Sequence, residues 1–242
     1  MARLNGFVGD FTGRMGNMVA YVRRGENFAR KYQSNVTNPN TARQQRSREI
    51  FKEAYALSSS FAPAVLMGYS GVNPTYERQA FVGKAISDKL IDINDRGDVK
   101  ISFDALPISV GPLVPLPQSI RPTFESPGSV KFTVTADDID DANLLVDGVT
   151  PINCLVFGVL YSVSFQHAVM GLIAVKKIGG QLDLINDGAV KTPASWAGEQ
   201  VHTYVFCKQS PTPRNGIPLT QLPPRIRFAA SRPTYLGSGT VG

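Results

Sequence analysis

The hydrophobic and polar positions fall into three stretches with different periods. In residues 1–37, "MVAYVRRGENFARKYQ" alternates like a strand on both sides of Arg23-Arg24-Gly25-Glu26. That predicts a β-hairpin, with Gly25 supplying the positive φ of a tight turn. On its second strand Phe28, Arg30 and Tyr32 share one face, and Asn27, Ala29 and Lys31 the other. A lone hairpin is marginal in water, so this one is expected to dock on a sheet, its own or a neighbour's. The lead-in "GFVGDFTGRMGN", with four glycines in twelve residues, reads as irregular or tight-turning.

Residues 38–95 change to a helical period. Thr41 and Gln44 have the spacing of a capping box. Ile50, Ala54, Leu57 and Phe61 fall within about 60° of one another on a helical wheel and predict a core stripe. A second helix is expected from Asn73-Pro74, with "GYSG" as the break between the two. Residues 96–242 read as β. "VKISF", "SVKFTVTA", "INCLVFGVLYSVSF", "HAVMGLIAVKKI", "GEQVHTYVFCK" and "PPRIRFAAS" are apolar or alternating, with turn residues between them. The expected fold is therefore α+β and β-dominated: a basic N-terminal arm and hairpin (1–37), a helical pair (38–95), then an antiparallel β-sandwich of jelly-roll or Ig-like type (96–242).

Charge changes this picture. Residues 1–60 hold ten Lys/Arg against four Asp/Glu, and residues 61–242 hold fifteen of each, so the net +6 belongs to the first quarter. Such asymmetry points to a polyanion or an acidic partner surface, or to a solvated basic face. The candidates for a nucleic-acid or subunit interface are Arg14, Arg23, Arg24, Arg30, Lys31 and Arg48, with Tyr21, Phe28 and Tyr32 interleaved near them. Cations and rings together bind single strands through phosphates and stacking. The first helix carries three arginines at its positive end, where they are disfavoured. On the wheel Arg43 lies about 20° from Ile50 and Arg46 about 40°, so both extend the core stripe, while Arg48 lies about 160° away. Arg43 and Arg46, with Thr41 and Gln44, are expected to bracket the helix through fixed acceptors, since unpaired burial of a guanidinium is costly.

Catalytic chemistry is sparse. His167 and His202 stand far apart in strands, and Cys154 and Cys207 form no metal-binding pair but read as buried free thiols. No nucleophile elbow, phosphate-binding loop or dinucleotide fingerprint is present, so no enzyme and no cofactor is expected. Asp137, Asp138, Asp140, Asp141 and Asp147 cluster, but without the spacing of a calcium loop. No apolar run is long enough to span a membrane, and the N-terminus lacks the apolar core of a secretion signal.

The motif Gly13-x-x-Gly16-Asn17, then Tyr21, Arg24-Gly25, Asn38-Pro39, Thr41, Gln44, Arg48 and Phe51, resembles an uncharacterised family of Bacteroidota genomes and their phages, a domain of unknown function. "ISVGPL" at 108–113, "WAGEQVHTYVFCK" and "YLGSGTV" resemble it too, so the likeness covers about 1–113 and 195–241. Residues 208–232 are longer than the family's turn. The resemblance brings no activity, cofactor or site residue; it implies a sandwich-like C-terminal part and a phage or bacterial-surface context. The expected function is a structural subunit of a bacteriophage virion. It would be made in the host cytoplasm and assemble with copies of itself and other virion proteins through its N- and C-terminal arms. Genomic nucleic acid is a possible partner of the basic region. The alternative is a cell-surface adhesion or carbohydrate-binding module using Trp196.

Overall fold

Gly25 takes φ +74° between two paired strands, and this turn organises the N-terminal unit. The computed structural model describes residues 2–3, 12–23, 25–34, 40–69, 77–94, 97–124, 128–146, 150–209 and 229–242. The hairpin is β3 (Met18–Arg23) with β4 (Glu26–Lys31). It is not a lone hairpin. The glycine-rich lead-in contributes β2 (Gly13–Met15), which turns back at Gly16 (φ +54°) to pair with β3. Two residues near the start, β1 (Ala2–Arg3), pair with β4. The result is a four-stranded antiparallel sheet in the order β1-β4-β3-β2. The hairpin thus docks on its own chain, through strands that a four-glycine segment disguises. The chain forms two compact units, Met1–Gln45 and Arg46–Gly242.

The elements after the hairpin unit run as follows. Helices α1 (Ala42–Ser60), α2 (Ala62–Gly68) and α3 (Glu77–Ser87) precede a short hairpin, β5 (Ile91–Ile93) and β6 (Val99–Ile101). Then come β7 (Arg121–Thr123), β8 (Ser129–Thr133), and a two-residue pair, β9 (Leu145–Val146) and β10 (Thr150–Pro151). The long strands β11 (Cys154–Ser162) and β12 (His167–Lys176) follow, with β13 (Leu182–Leu184) and β14 (Ala189–Lys191). Strands β15 (Gln200–Gln209) and β16 (Thr234–Thr240) end the chain.

Among the described residues, three helices stand where a pair is expected. Pro63, near the start of α2, lacks the N–H that would continue α1, so the helix breaks after Ser60. The "GYSG" signal is the end of α2 instead, at Gly68. The expected start at Asn73-Pro74 lies outside the described residues. Ile91–Ile93, inside the stretch read as helical, is a strand paired with Val99–Ile101.

In the larger unit, the five-stranded antiparallel sheet β13-β12-β11-β15-β16 lies between two layers. Alternation along β11 and β15 decides what each face meets. Phe157, Val159, Tyr161, Tyr204 and Phe206 face the helices, packing with Ala54, Leu57, Phe61, Val65, Phe81 and Val82. The Phe61 ring stacks on Tyr161, with centroids 4.5 Å apart. Val156, Leu160, Val201, Val205 and Cys207 face the other way, onto Val130, Phe132 and Val190 of the three-stranded sheet β14-β8-β7. The fold is mixed α+β and β-rich with several antiparallel sheets, and the helices cover a sheet face rather than forming a separate body. The expected core stripe of α1 is buried at Ala54, Leu57 and Phe61, with Ile50 packed at its margin.

The C-terminal segment "RPTYLGSGTVG" is expected as an exchangeable arm, and the structure corrects this. Its residues Thr234–Thr240 are β16, paired along β15, and Val241 beyond them is 1% exposed. Of the expected strand "PPRIRFAAS", only Ala229–Ser231 lie among the described residues; Ala230 bridges Lys208 and Ser231 bridges Leu113.

Candidate nucleic-acid interface

The register of the N-terminal sheet sorts its side chains. Opposed residues share a face, so Val19 with Arg30, Tyr21 with Phe28, and Arg23 with Glu26 point one way. Arg14 joins them, opposite Val19. The other face carries Ala20 opposite Ala29, both 6% exposed, with Met18 opposite Lys31 at the end of the ladder. Among the described side chains, small residues are thus buried on one face, while three arginines and the rings lie on the other.

On the arginine face Arg14, Arg23 and Arg30 are exposed, and Tyr21, Phe28 and Tyr32 are half-buried. The Tyr21 and Phe28 rings stack with centroids 5.8 Å apart. The Arg14 guanidinium lies over Tyr32, its Cζ 3.7 Å from the ring centroid, while its Nε donates to the Gly16 carbonyl at 3.1 Å. That leaves its two terminal amino groups for another acceptor. Tyr32 is fixed in turn by its backbone N–H, which donates to the Asn17 carbonyl at 2.6 Å. Glu26 is the one acid of the face among the described residues and stands opposite Arg23.

Of the six residues expected at an interface, Arg14, Arg23 and Arg30 therefore come together. Lys31 points to the opposite face, and Arg24 lies outside the described residues. Arg48 belongs to the larger unit and is exposed, so it is not part of this face. The Arg14–Tyr32 contact was hidden in the sequence because it needs β2 as a strand.

The helix bracket is present in altered form. The Thr41 N–H donates to Gln44 Oε1 at 3.4 Å, and the Gln44 N–H donates to Thr41 Oγ1 at 3.3 Å, so the capping box closes. Arg46 pairs with Asp92 at 2.8 Å, and the guanidinium holds that carboxyl below the usual carboxylate range. Yet Arg46 is 47% exposed and Arg43 is exposed as well. Residues 42–49 of α1 are exposed apart from the half-buried Gln44, so the stripe begins only at Ile50 and neither arginine is buried.

The remaining polar clusters have structural work. Asp138 accepts from the Thr135 N–H at 2.7 Å, Asp140 accepts from the Ala142 N–H at 2.8 Å, and Asp141 pairs with Lys176 at 2.8 Å. The buried Lys176 ammonium also donates to the carbonyls of Ala136 (2.8 Å) and Ile139 (2.5 Å). Cys154 and Cys207 are free and buried; a hydrogen bond to Cys207, together with burial, pushes the Cys154 thiol well up. His202 contacts the Tyr235 hydroxyl through Nδ1 at 2.9 Å and stacks on Phe103, and burial lowers its pKa. Trp196, the residue on which a carbohydrate site would rest, is 1% exposed and sits in the core.

No helix among the described residues is long and apolar enough to cross a membrane. No protein-family model, no curated protein and no solved structure matches this chain.

Proposed function

We propose that this chain is a structural subunit of a bacteriophage virion, a capsid or other shell protein, whose basic N-terminal unit turns toward the genome or a neighbouring subunit. One observation carries the reading: the charge divides where the chain divides. Residues 1–45 hold seven Lys/Arg and two Asp/Glu, while residues 46–242 hold eighteen and seventeen. A small cationic sheet attached to a large, nearly neutral body suits a subunit that meets a polyanion on one side and its copies on the other. We read the five- and three-stranded sheets as the sandwich core of that body. Strand β16 is the last strand of its sheet among the described residues, and an edge of this kind can accept a strand from a neighbour.

Sedimentation of the purified protein, with negative-stain electron microscopy, tests this. A closed oligomer or shell is expected. A strict monomer at high concentration in every salt condition would falsify the assembly reading. The carbohydrate-binding alternative loses its ligand platform with the burial of Trp196.

A further inference from the structure

We infer that the arginine face of the N-terminal sheet is a binding platform for single-stranded nucleic acid, gripping phosphates with Arg14, Arg23 and Arg30 and stacking bases on Tyr21, Phe28 and Tyr32. This deepens the assembly reading by assigning the basic unit to a nucleic acid rather than to a protein surface.

Three features point to this ligand. The first is composition by face: three exposed arginines gather on one side of a four-stranded sheet, against the single acid Glu26 among the described residues. That excess favours a polyanion. The second is the rings. A protein partner that buries this face would be expected to meet a close-packed apolar patch, but here Arg14 lies over Tyr32, and the register puts Arg23 and Arg30 next along the face from Tyr21 and Phe28. Tyr21 and Phe28 form one stacked pair, and Tyr32 stands about 13 Å further along β4 from Phe28, at roughly 3.4 Å per residue. Two separated stacking positions with cations around them suit an extended strand whose bases are splayed out. A duplex keeps its bases stacked inside and offers these rings nothing. The third is preorganisation. Arg14 is held at Nε by the Gly16 carbonyl, with its Cζ 3.7 Å over the Tyr32 ring, so it reaches a phosphate with little side-chain freedom left to lose.

Fluorescence anisotropy of the full chain with labelled oligothymidylate, oligouridylate and a matched DNA duplex tests the inference. Both single strands should bind, and better than the duplex. Three phosphate contacts give a slope of about −2 in log K against log salt. The pair Tyr21→Ala and Phe28→Ala should weaken single-strand binding about tenfold. Because those changes could disturb the sheet, Arg23→Gln with Arg30→Gln, at exposed positions, gives an independent arm; it should weaken binding and flatten the salt slope toward about −0.7. Arg14→Lys keeps the charge but loses the guanidinium over the ring, and should fall between. Three results overturn the inference: no binding at low salt, equal binding of duplex with indifference to the ring substitutions, or arginine substitutions that dissolve an oligomer without changing oligonucleotide affinity. A chain that binds single strands yet stays monomeric would support this inference and defeat the assembly reading, so the two fail separately.

Discussion

Lys208 is a lysine held in an environment that its type disfavours. It is 6% exposed on β15, and its ammonium donates to the Met67 carbonyl at 3.2 Å. Burial lowers its pKa from 10.5 to about 8. The unfolded chain therefore binds more protons than the folded one between about pH 8 and 10.5, so this group makes stability rise with pH across that window. Below about pH 8 the folded protein carries a buried cation, and the penalty is fully present. Lys208→Met should remove that slope and raise stability at pH 7 by roughly 1–3 kcal/mol, as read from urea midpoints at several pH values. Gly158 gives a second residue-scale test. A Cβ there would sit 2.8 Å from Phe132 Cε2 and 2.9 Å from Val190 Cγ2, so Gly158→Ala should cost about 1–3 kcal/mol by forcing the two sheets apart. Neither site stands out in the sequence: a strand lysine and a strand glycine gain meaning only from what packs opposite them.

At the scale of elements, the segment 136–144 carries two 3-10 turns tied to the sheet by Lys176 and by Asn143, whose Nδ2 donates to Cys207 Sγ at 3.3 Å. Lys176 joins the Ala136 and Ile139 carbonyls and the Asp141 carboxylate from β12. Lys176→Met should lower stability by roughly 2–4 kcal/mol through two orphaned carbonyls, and hydrogen exchange should rise first in residues 136–144. The capping box of α1 is a milder case. Thr41→Ala should cost about 0.5–1 kcal/mol, visible as fraying of the first turn, because the bond that Thr41 Oγ1 accepts from the Gln44 N–H is exposed. This box and the stripe Ala54, Leu57 and Phe61 were legible in the sequence, since both depend on helical spacing alone. The break at Phe61 is carried by Pro63 and not by the glycines further on. β1 and β2 had no periodicity to read, being too short to alternate.

For the whole molecule, both large hydrophobic clusters lie within residues 46–242, and the N-terminal sheet adds only Ala20 and Ala29 to the buried apolar side chains described. A chain lacking residues 1–37 should therefore unfold cooperatively at a melting temperature within a few degrees of the full-length value, as followed by near-UV circular dichroism. It should also lose its retention on a heparin column, because that deletion removes six Lys/Arg and two Asp/Glu. A collapse of the body on deletion would show that the sheet is part of the fold rather than an attachment.

The sequence by itself determined what depends on neighbours in the chain. Periods of two and of 3.6 residues placed the long strands and α1, turn glycines placed the β3–β4 hairpin, and the count of charges located the basic quarter. Tertiary structure decided everything that depends on which side a residue faces and what lies there. It made Trp196 a core residue, tied the C-terminal segment into a sheet, and left Arg43 and Arg46 exposed. It also gathered Arg14, Arg23 and Arg30 onto the aromatic face while turning Lys31 away. The physical reason is the same in each case: strand register and layer packing are set by long-range pairing, and a one-residue change of parity reverses a side chain's face.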